Sequence, residues 1–322
     1  MIGTVDKETR KNVKYEIRER KNMKFRKVTA IIGAAVMMMS LAACGSSNDG
    51  GSSDGGDGGS SSGGSINVIS REDGSGTRGA FVELFGVEEE VDGEKVDNTT
   101  TDATVTNNTS VMLSTVAQDP NAIGYVSLGS LSDDVKAVKI DGAEATAENI
   151  ENGTYKVSRP FNIATKTDMN NPTAEDFISF IMSQEGQDVV AEEGYIPLDG
   201  AEAYAGDAPA GKVVVGGSSS VSPVMEKLIE AYAEVNPDAE IELQTTDSTT
   251  GMESAISGAY DIGMASREVK EDELSAGLEA QVIATDGIAV VVNNNNPTDE
   301  LTSDQVKSIY TGEALTWDEV VE

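Results

Sequence analysis

Histidine is absent from the chain, and cysteine occurs once, at position 44. Histidine is the commonest general base and a frequent metal ligand, so serine–histidine and cysteine–histidine catalysis and most zinc sites are excluded. Carboxylate chemistry stays open, but binding becomes the default. Positive charge is also scarce: 23 Lys and Arg stand against 56 Asp and Glu, for a formal charge of -33. Ten of the basic residues and only four acidic ones precede Cys44, which leaves 13 against 52 in the remainder. A surface of that sign repels nucleic acid and anionic headgroups, so neither is an expected partner. Any phosphate this chain binds must be small and held by local donors, not by a basic patch.

The stretch "MKFRKVTAIIGAAVMMMSLAAC" has a basic start (Lys24, Arg26, Lys27), an apolar run of signal-peptide length, and small residues before Cys44. Its ending "LAAC" resembles a bacterial lipobox, which would make Cys44 the lipidated first residue of the mature protein. Residues 1–43 are therefore expected to be a signal region, with Met23 as the true start. Residues 44–65, nearly all Gly, Ser and Asp after the cysteine, have nothing apolar to bury. They are expected to be a tether between a lipid anchor in the cell membrane and an extracytoplasmic domain beginning at Ile66.

From Ile66 onward, apolar β-branched runs such as "INVI", "IGYVSL", "KVVVGG" and "IAVVVN" alternate with helical patterns such as "GAFVELF" and "PVMEKLIEAYAEV". That alternation predicts an α/β fold with largely parallel sheets, and the length predicts two lobes. Four strand ends share one chemistry. "SREDGSGTRGAF" (70–81), "GGSSSVSPVMEKLIEAY" (216–232), "DSTTGMESAI" (247–256) and "DIGMASREV" (261–269) each put hydroxyls or glycine where a strand ends, the first three just ahead of a helix. Unpaired N–H groups and the helix dipole suit such places to an anion, although each alone is also ordinary capping. In open α/β sheets, ligands collect at the carboxyl ends of strands, and the recurrence favours one shared anion site.

These loops together resemble the phosphate-binding lipoproteins that serve Pst-type ABC importers, which have a two-lobed type II periplasmic-binding-protein fold with the ligand cleft between lobes. In most of that family the "GGSSSVSP" strand and helix come first, and "IYTGEALTWDEV" leads into "INVISREDGSGTR"; here the halves are exchanged. The resemblance therefore implies a circularly permuted fold, in which residues 198–211 join the old termini. The competing explanation is a fragment spliced from two gene copies. One lobe would comprise 66–165 plus 287–322, the other 166–286, with hinges near "ATKTD" and "IATDGIAV".

The resemblance further implies phosphate ligands at Arg71, Ser75, Gly76, Thr77, Ser219, Ser220, Thr250 and Ser266, with Arg78 and Arg267 as additional candidates. Arg71 is the expected charged partner, its alternative being an ion pair with Glu72 or Asp73. Many family members carry an aspartate where this chain has Arg267, and that aspartate accepts the hydrogen of HPO₄²⁻. Asp73 is the first candidate to replace it and Glu72 the second. The implied function is capture of inorganic phosphate by a monomer that delivers it to an ABC-type permease, with no cofactor, metal or catalytic residue. The alternatives are another tetrahedral oxyanion such as sulfate, an extracellular phosphoester hydrolase, or an adhesin that has lost transport.

Overall fold

The computed structural model describes residues 64–91 and 94–320. The signal region, Cys44 and nearly all of the tether lie outside the described residues. Among the described residues, no helix is long and apolar enough to cross a membrane.

Among the described residues, thirteen strands form in chain order: β1 Asn67–Arg71, β2 Glu88–Val91, β3 Glu94–Asp97, β4 Thr104–Thr106, β5 Ala122–Ser127, β6 Val135–Ala137, β7 Lys139–Ile140, β8 Ser158–Lys166, β9 Gly211–Ser218, β10 Ala239–Thr246, β11 Ile262–Ala265, β12 Leu278–Asn293 and β13 Glu300–Leu301. The main sheet runs β10-β9-β11-β8-β12-β5-β1-β4, with β6 added to β12. Within each end of that order the pairings are parallel: β10 with β9 and β9 with β11 at one end, β5 with β1 and β1 with β4 at the other. Parallel neighbours need crossover connections, which the intervening helices supply. The centre is antiparallel, because β8 and β12 run against each other and against β11 and β5.

β12 spans 16 residues and changes partner along its length. Leu278–Gly287 pair with β8, and Ile288–Val292 pair with β5. Two separate cores follow the same division. One holds Phe81, Tyr125, Val157, Ile288, Val290, Tyr310 and Trp317; its Phe81 and Tyr125 rings stack with centroids 4.0 Å apart. The other holds Phe161, Ile163, Phe177, Val215, Leu228, Tyr232 and Ala284. Along β12 the cores change over between Ala284 and Ile288, and ahead of β8 they change over between Val157 and Phe161. "ATKTD" starts at the far end of β8, paired with Leu278–Ala280 inside the second lobe.

The two ends of the described chain meet. Ile66 N donates to Leu315 O at 2.8 Å and Trp317 N to Gly64 O at 3.1 Å. Residues 198–211 are tied onto the second lobe, where Gln184 N donates to Glu202 O at 2.7 Å and Thr173 Oγ1 to Pro209 O at 3.3 Å.

At the crossing, Arg159 of β8 and Asp286 of β12 stand in register and form a buried ion pair, Nη2 to Oδ2 2.9 Å. Ser127, the last residue of β5, donates its hydroxyl to Asp286 Oδ1 at 2.9 Å. Burial pushes the Asp286 carboxyl up to about 6, against the pull of Arg159 and Ser127. A carboxyl raised in the folded state holds its proton more tightly folded than unfolded. Its contribution to stability is therefore complete below its ordinary value of 3.8 and is lost as pH rises through about 6. We expect the unfolding free energy of the wild type, relative to Asp286→Asn, to rise by about 2–3 kcal/mol between pH 7 and pH 4. Urea titrations at several pH values measure this, and a constant difference would refute the raised carboxyl.

Candidate anion-binding site

Four helices begin at the strand ends singled out above or beside them, and their caps show why these residues fold as they do. Ser75 caps Gly76–Leu84 by accepting from Arg78 N, and Asn108 caps Thr109–Gln118 by accepting from Val111 N. Asp247 caps Ser248–Ser257 by accepting from Thr250 N. Ser222–Val235 begins with proline in its first turn and no side-chain cap. Once the cap has taken one orphan N–H, the neighbouring hydroxyls are free to point elsewhere.

They converge on one another across the two cores. From the first lobe, Thr77 Oγ1 lies 2.8 Å from Ser220 Oγ and 3.4 Å from Ser266 Oγ. Thr109 Oγ1 lies 3.3 Å from both Ser219 Oγ and Ser220 Oγ. In the second lobe, Ser218 donates to Ser266 Oγ at 2.9 Å, and Ser248 Oγ accepts from Ser266 N at 3.1 Å. All seven of these residues are buried, none more than 6% exposed. Each hydroxyl both donates and accepts, so the group can turn its protons toward a common acceptor.

Arg71 borders this cluster at the end of β1. Its Nη2 donates to Ser219 Oγ at 3.1 Å and its Nη1 to Thr109 Oγ1 at 3.4 Å. Its Nε and Nη2 also form a fork on Glu72, at 2.8 and 2.7 Å. Arg71 thus pairs with Glu72 and also reaches the hydroxyls of Ser219 and Thr109. Its backbone N–H is fixed by Tyr125 Oη at 3.1 Å; burial pushes that phenol up to about 12, so it stays a neutral hydroxyl.

Gly76 lies at a close approach between the lobes. A Cβ built there would stand 2.4 Å from Ser248 Oγ and 2.9 Å from Ser266 Oγ. Gly74 meets the same lobe, since its carbonyl accepts from Thr249 N at 3.2 Å.

Several expected ligands are placed elsewhere. Asp73 is 97% exposed at its side chain and pairs with Arg78 at 2.7 Å, away from the hydroxyls. Arg78 is occupied by Asp73, Asp97 and the Arg71 carbonyl. The Thr250 hydroxyl is bonded to its own cap, Asp247 Oδ2, at 2.6 Å, and Ser248 takes its place in the cluster. Arg267 forks onto Glu273 at 2.9 and 2.7 Å. Ser75 is buried but serves as the helix cap. In each case a nearer partner wins: an aspartate cap claims the threonine, and an acidic neighbour claims the arginine. Ser218 and Ser248 lie inside loops the sequence had marked. Thr109 was missed, although "NNTSVM" carries the Asn N-cap signal ahead of an apolar run. The carboxylate nearest the cluster through its partners is Glu72, not Asp73.

The PBP superfamily domain matches residues 48–185 and 202–321 of the chain. The phosphate-binding protein PstS 2 of Streptococcus agalactiae is 57% identical over 257 residues, covering 80% of this chain and 88% of that protein. PstS 2 of Streptococcus pneumoniae is 40% identical over 299 residues, covering 92% of this chain and 100% of that one. The crystal structure of a phosphate ABC transporter, phosphate-binding protein from S. pneumoniae is 42% identical with a TM-score of 0.64, covering 80% of this chain and 100% of that chain. Because these matches run through nearly the whole of each relative, the order of the halves is common to them and this chain, which argues against a chance splice. By contrast, the phosphate-binding protein PstS of Staphylococcus saprophyticus matches only 34% of this chain, at 40% identity, as proteins with the halves in the other order would. The chain belongs to the PBP superfamily and, within it, to the family of PstS phosphate-binding proteins.

Proposed function

We propose that the chain captures inorganic phosphate at the Arg71 and hydroxyl cluster and delivers it to an ABC-type permease, working outside the cytoplasm and held to the membrane by a lipid on Cys44. The observation that carries this reading is the convergence of Thr77 and Thr109 from one lobe with Ser219, Ser220 and Ser266 from the other, beside a buried arginine. Neutral donors from two directions enclose a tetrahedral anion without the basic surface that this acidic chain lacks. The names of the relatives, phosphate-binding proteins and a phosphate transporter component, support the choice of anion and the permease partner.

Glu72 supplies the selectivity. Its carboxylate, 22% exposed and forked with Arg71, accepts the hydrogen of HPO₄²⁻. Sulfate has no such hydrogen, so it would bring a second negative charge against the carboxylate in a dry cleft. Calorimetric titration with phosphate, arsenate and sulfate tests the reading. Phosphate and arsenate are expected to bind and sulfate to bind at least roughly 100-fold more weakly, an interval of about 2.7 kcal/mol. Glu72→Gln should narrow that interval, whereas Asp73→Asn, at an exposed pair, should change phosphate affinity less than about threefold. Preference for sulfate by the wild type would overturn the phosphate reading.

A further inference from the structure

Two of the three nitrogens of the Arg159 guanidinium, Nε and Nη1, are buried with no hydrogen-bond partner among the described residues. Nη2 bonds to Asp286, and the guanidinium carbon lies 5.4 Å from the Phe161 ring centroid. Charged donors left unmet in a desolvated place are costly, so an acceptor belongs beside them.

The sheet locates them. Arg159 is the second residue of β8, at the end of that strand nearest the carboxyl ends of β9 and β11. Ala265 of β11 registers with Asn162, the Asn162 amide donates to Arg267 O at 2.9 Å, and Met264 registers with Gly217, one residue before the serine loop. On the other side, Asp286 takes the hydroxyl of Ser127, where β5 ends. β5 lies beside β1, which ends at Arg71. Arg159 therefore stands on the floor between the strand ends that carry the serine loop and the strand end that carries Arg71.

Its acidity reflects that place. Burial lowers the guanidinium's proton affinity most, Asp286 opposes this, and the charge of Arg71 lowers it again. Two guanidinium ions that feel each other in a dry space repel, and an anion held by both turns that repulsion into attraction. The Tyr195 and Ser130 hydroxyls are also buried without partners. Neutral groups of that kind are commonly met by water; an unmet charged N–H calls for an acceptor of opposite charge, such as an oxygen of an oxyanion.

We propose that Arg159 is a second guanidinium of the anion site, supplying an unmet N–H to an oxygen of the bound oxyanion while Asp286 and Ser127 hold it in place. The proposal rests on the phosphate reading above. It extends the site to the hinge, so that the anion touches the element about which the lobes turn.

The test uses the full chain and inorganic phosphate. Arg159→Lys keeps a charge for Asp286 but cannot place a second N–H beyond that pair, and it should weaken phosphate binding at least tenfold while the melting temperature without phosphate stays within a few degrees of wild type. Sulfate binding, where measurable, should weaken by the same factor, because the lost N–H meets an oxygen that both anions share. Arg159→Met combined with Asp286→Leu removes the buried pair together, so neither charge is stranded; it should show at least the same loss. In the wild type, the Arg159 Nε–H resonance should shift and exchange more slowly at saturating phosphate, a readout that needs no folded variant. If both variants bind phosphate within threefold of wild type, or if the Nε–H resonance is unmoved at saturation, Arg159 is a hinge ion pair only. A wild type that binds no phosphate would sink the functional reading itself and this inference with it.

Discussion

Arg71→Met is expected to lower phosphate affinity by about two to three orders of magnitude, corresponding to roughly 3–4 kcal/mol. Arg71 is 2% exposed and serves three partners at once: the Glu72 fork, Ser219 and Thr109. Removing the guanidinium takes away the cation that the anion meets. It also strands the Glu72 carboxylate, which then repels every oxyanion in place of sorting them. The second effect separates this change from a simple lost contact. Arg71→Met with Glu72→Leu removes the stranded charge and should recover thermal stability, yet phosphate binding should not return. Isothermal titration and melting curves on the two variants check this together. Recovery of binding in the double variant would mean that the hydroxyls alone hold the anion and that Arg71 only neutralises Glu72.

The residues around this cluster show how far the sequence could be read. The strand-to-helix junctions were legible because glycine, hydroxyls and an apolar period are local signals, and they led to Arg71, Thr77, Ser219, Ser220 and Ser266. The choice among neighbours was not legible. Which of Ser248 and Thr250 enters the cluster depends on the Asp247 carboxylate closing over Thr250. Which of Glu72 and Asp73 faces Arg71 depends on where Arg78, one helical turn onward, draws Asp73. These are contests between partners at similar chain distance, decided by side-chain direction. The hinge pair was invisible for a different reason. Arg159 and Asp286 are far apart in sequence and meet only because β8 and β12 pair in one register. The exchange of halves, in contrast, was read from motif order alone, and the meeting of Ile66 with Leu315 gives its physical condition.

Gly76→Ala should leave the fold intact and remove most of the binding. In the helix Gly76–Leu84, alanine is a better first-turn residue than glycine, so the first lobe loses nothing and gains up to about 1 kcal/mol. Across the cleft the added methyl has no room: its carbon would sit 2.4 Å from Ser248 Oγ, 2.9 Å from Ser266 Oγ and 3.1 Å from Arg267 Cγ. Ser248 and Ser266 are fully buried, and Arg267 is forked to Glu273, so none of them retreats freely. The lobes must instead part by about an ångström. The pairs Thr77–Ser220, Thr109–Ser219 and Thr109–Ser220 now lie at 2.8, 3.3 and 3.3 Å, and a displacement of that size takes them beyond hydrogen-bonding reach. Donors that must close on one anion from both sides then no longer do so. With about 1 kcal/mol for each of two or three lost bonds, phosphate affinity should fall by roughly 30- to 150-fold. Glycine-to-alanine changes at Gly79, whose Cβ would meet nothing within 4 Å, serve as the control on the same helix and should bind as wild type. Phosphate titration decides it, with a melting curve beside each variant. Equal affinity for Gly76→Ala and Gly79→Ala would mean that the lobes do not close on the anion at this contact.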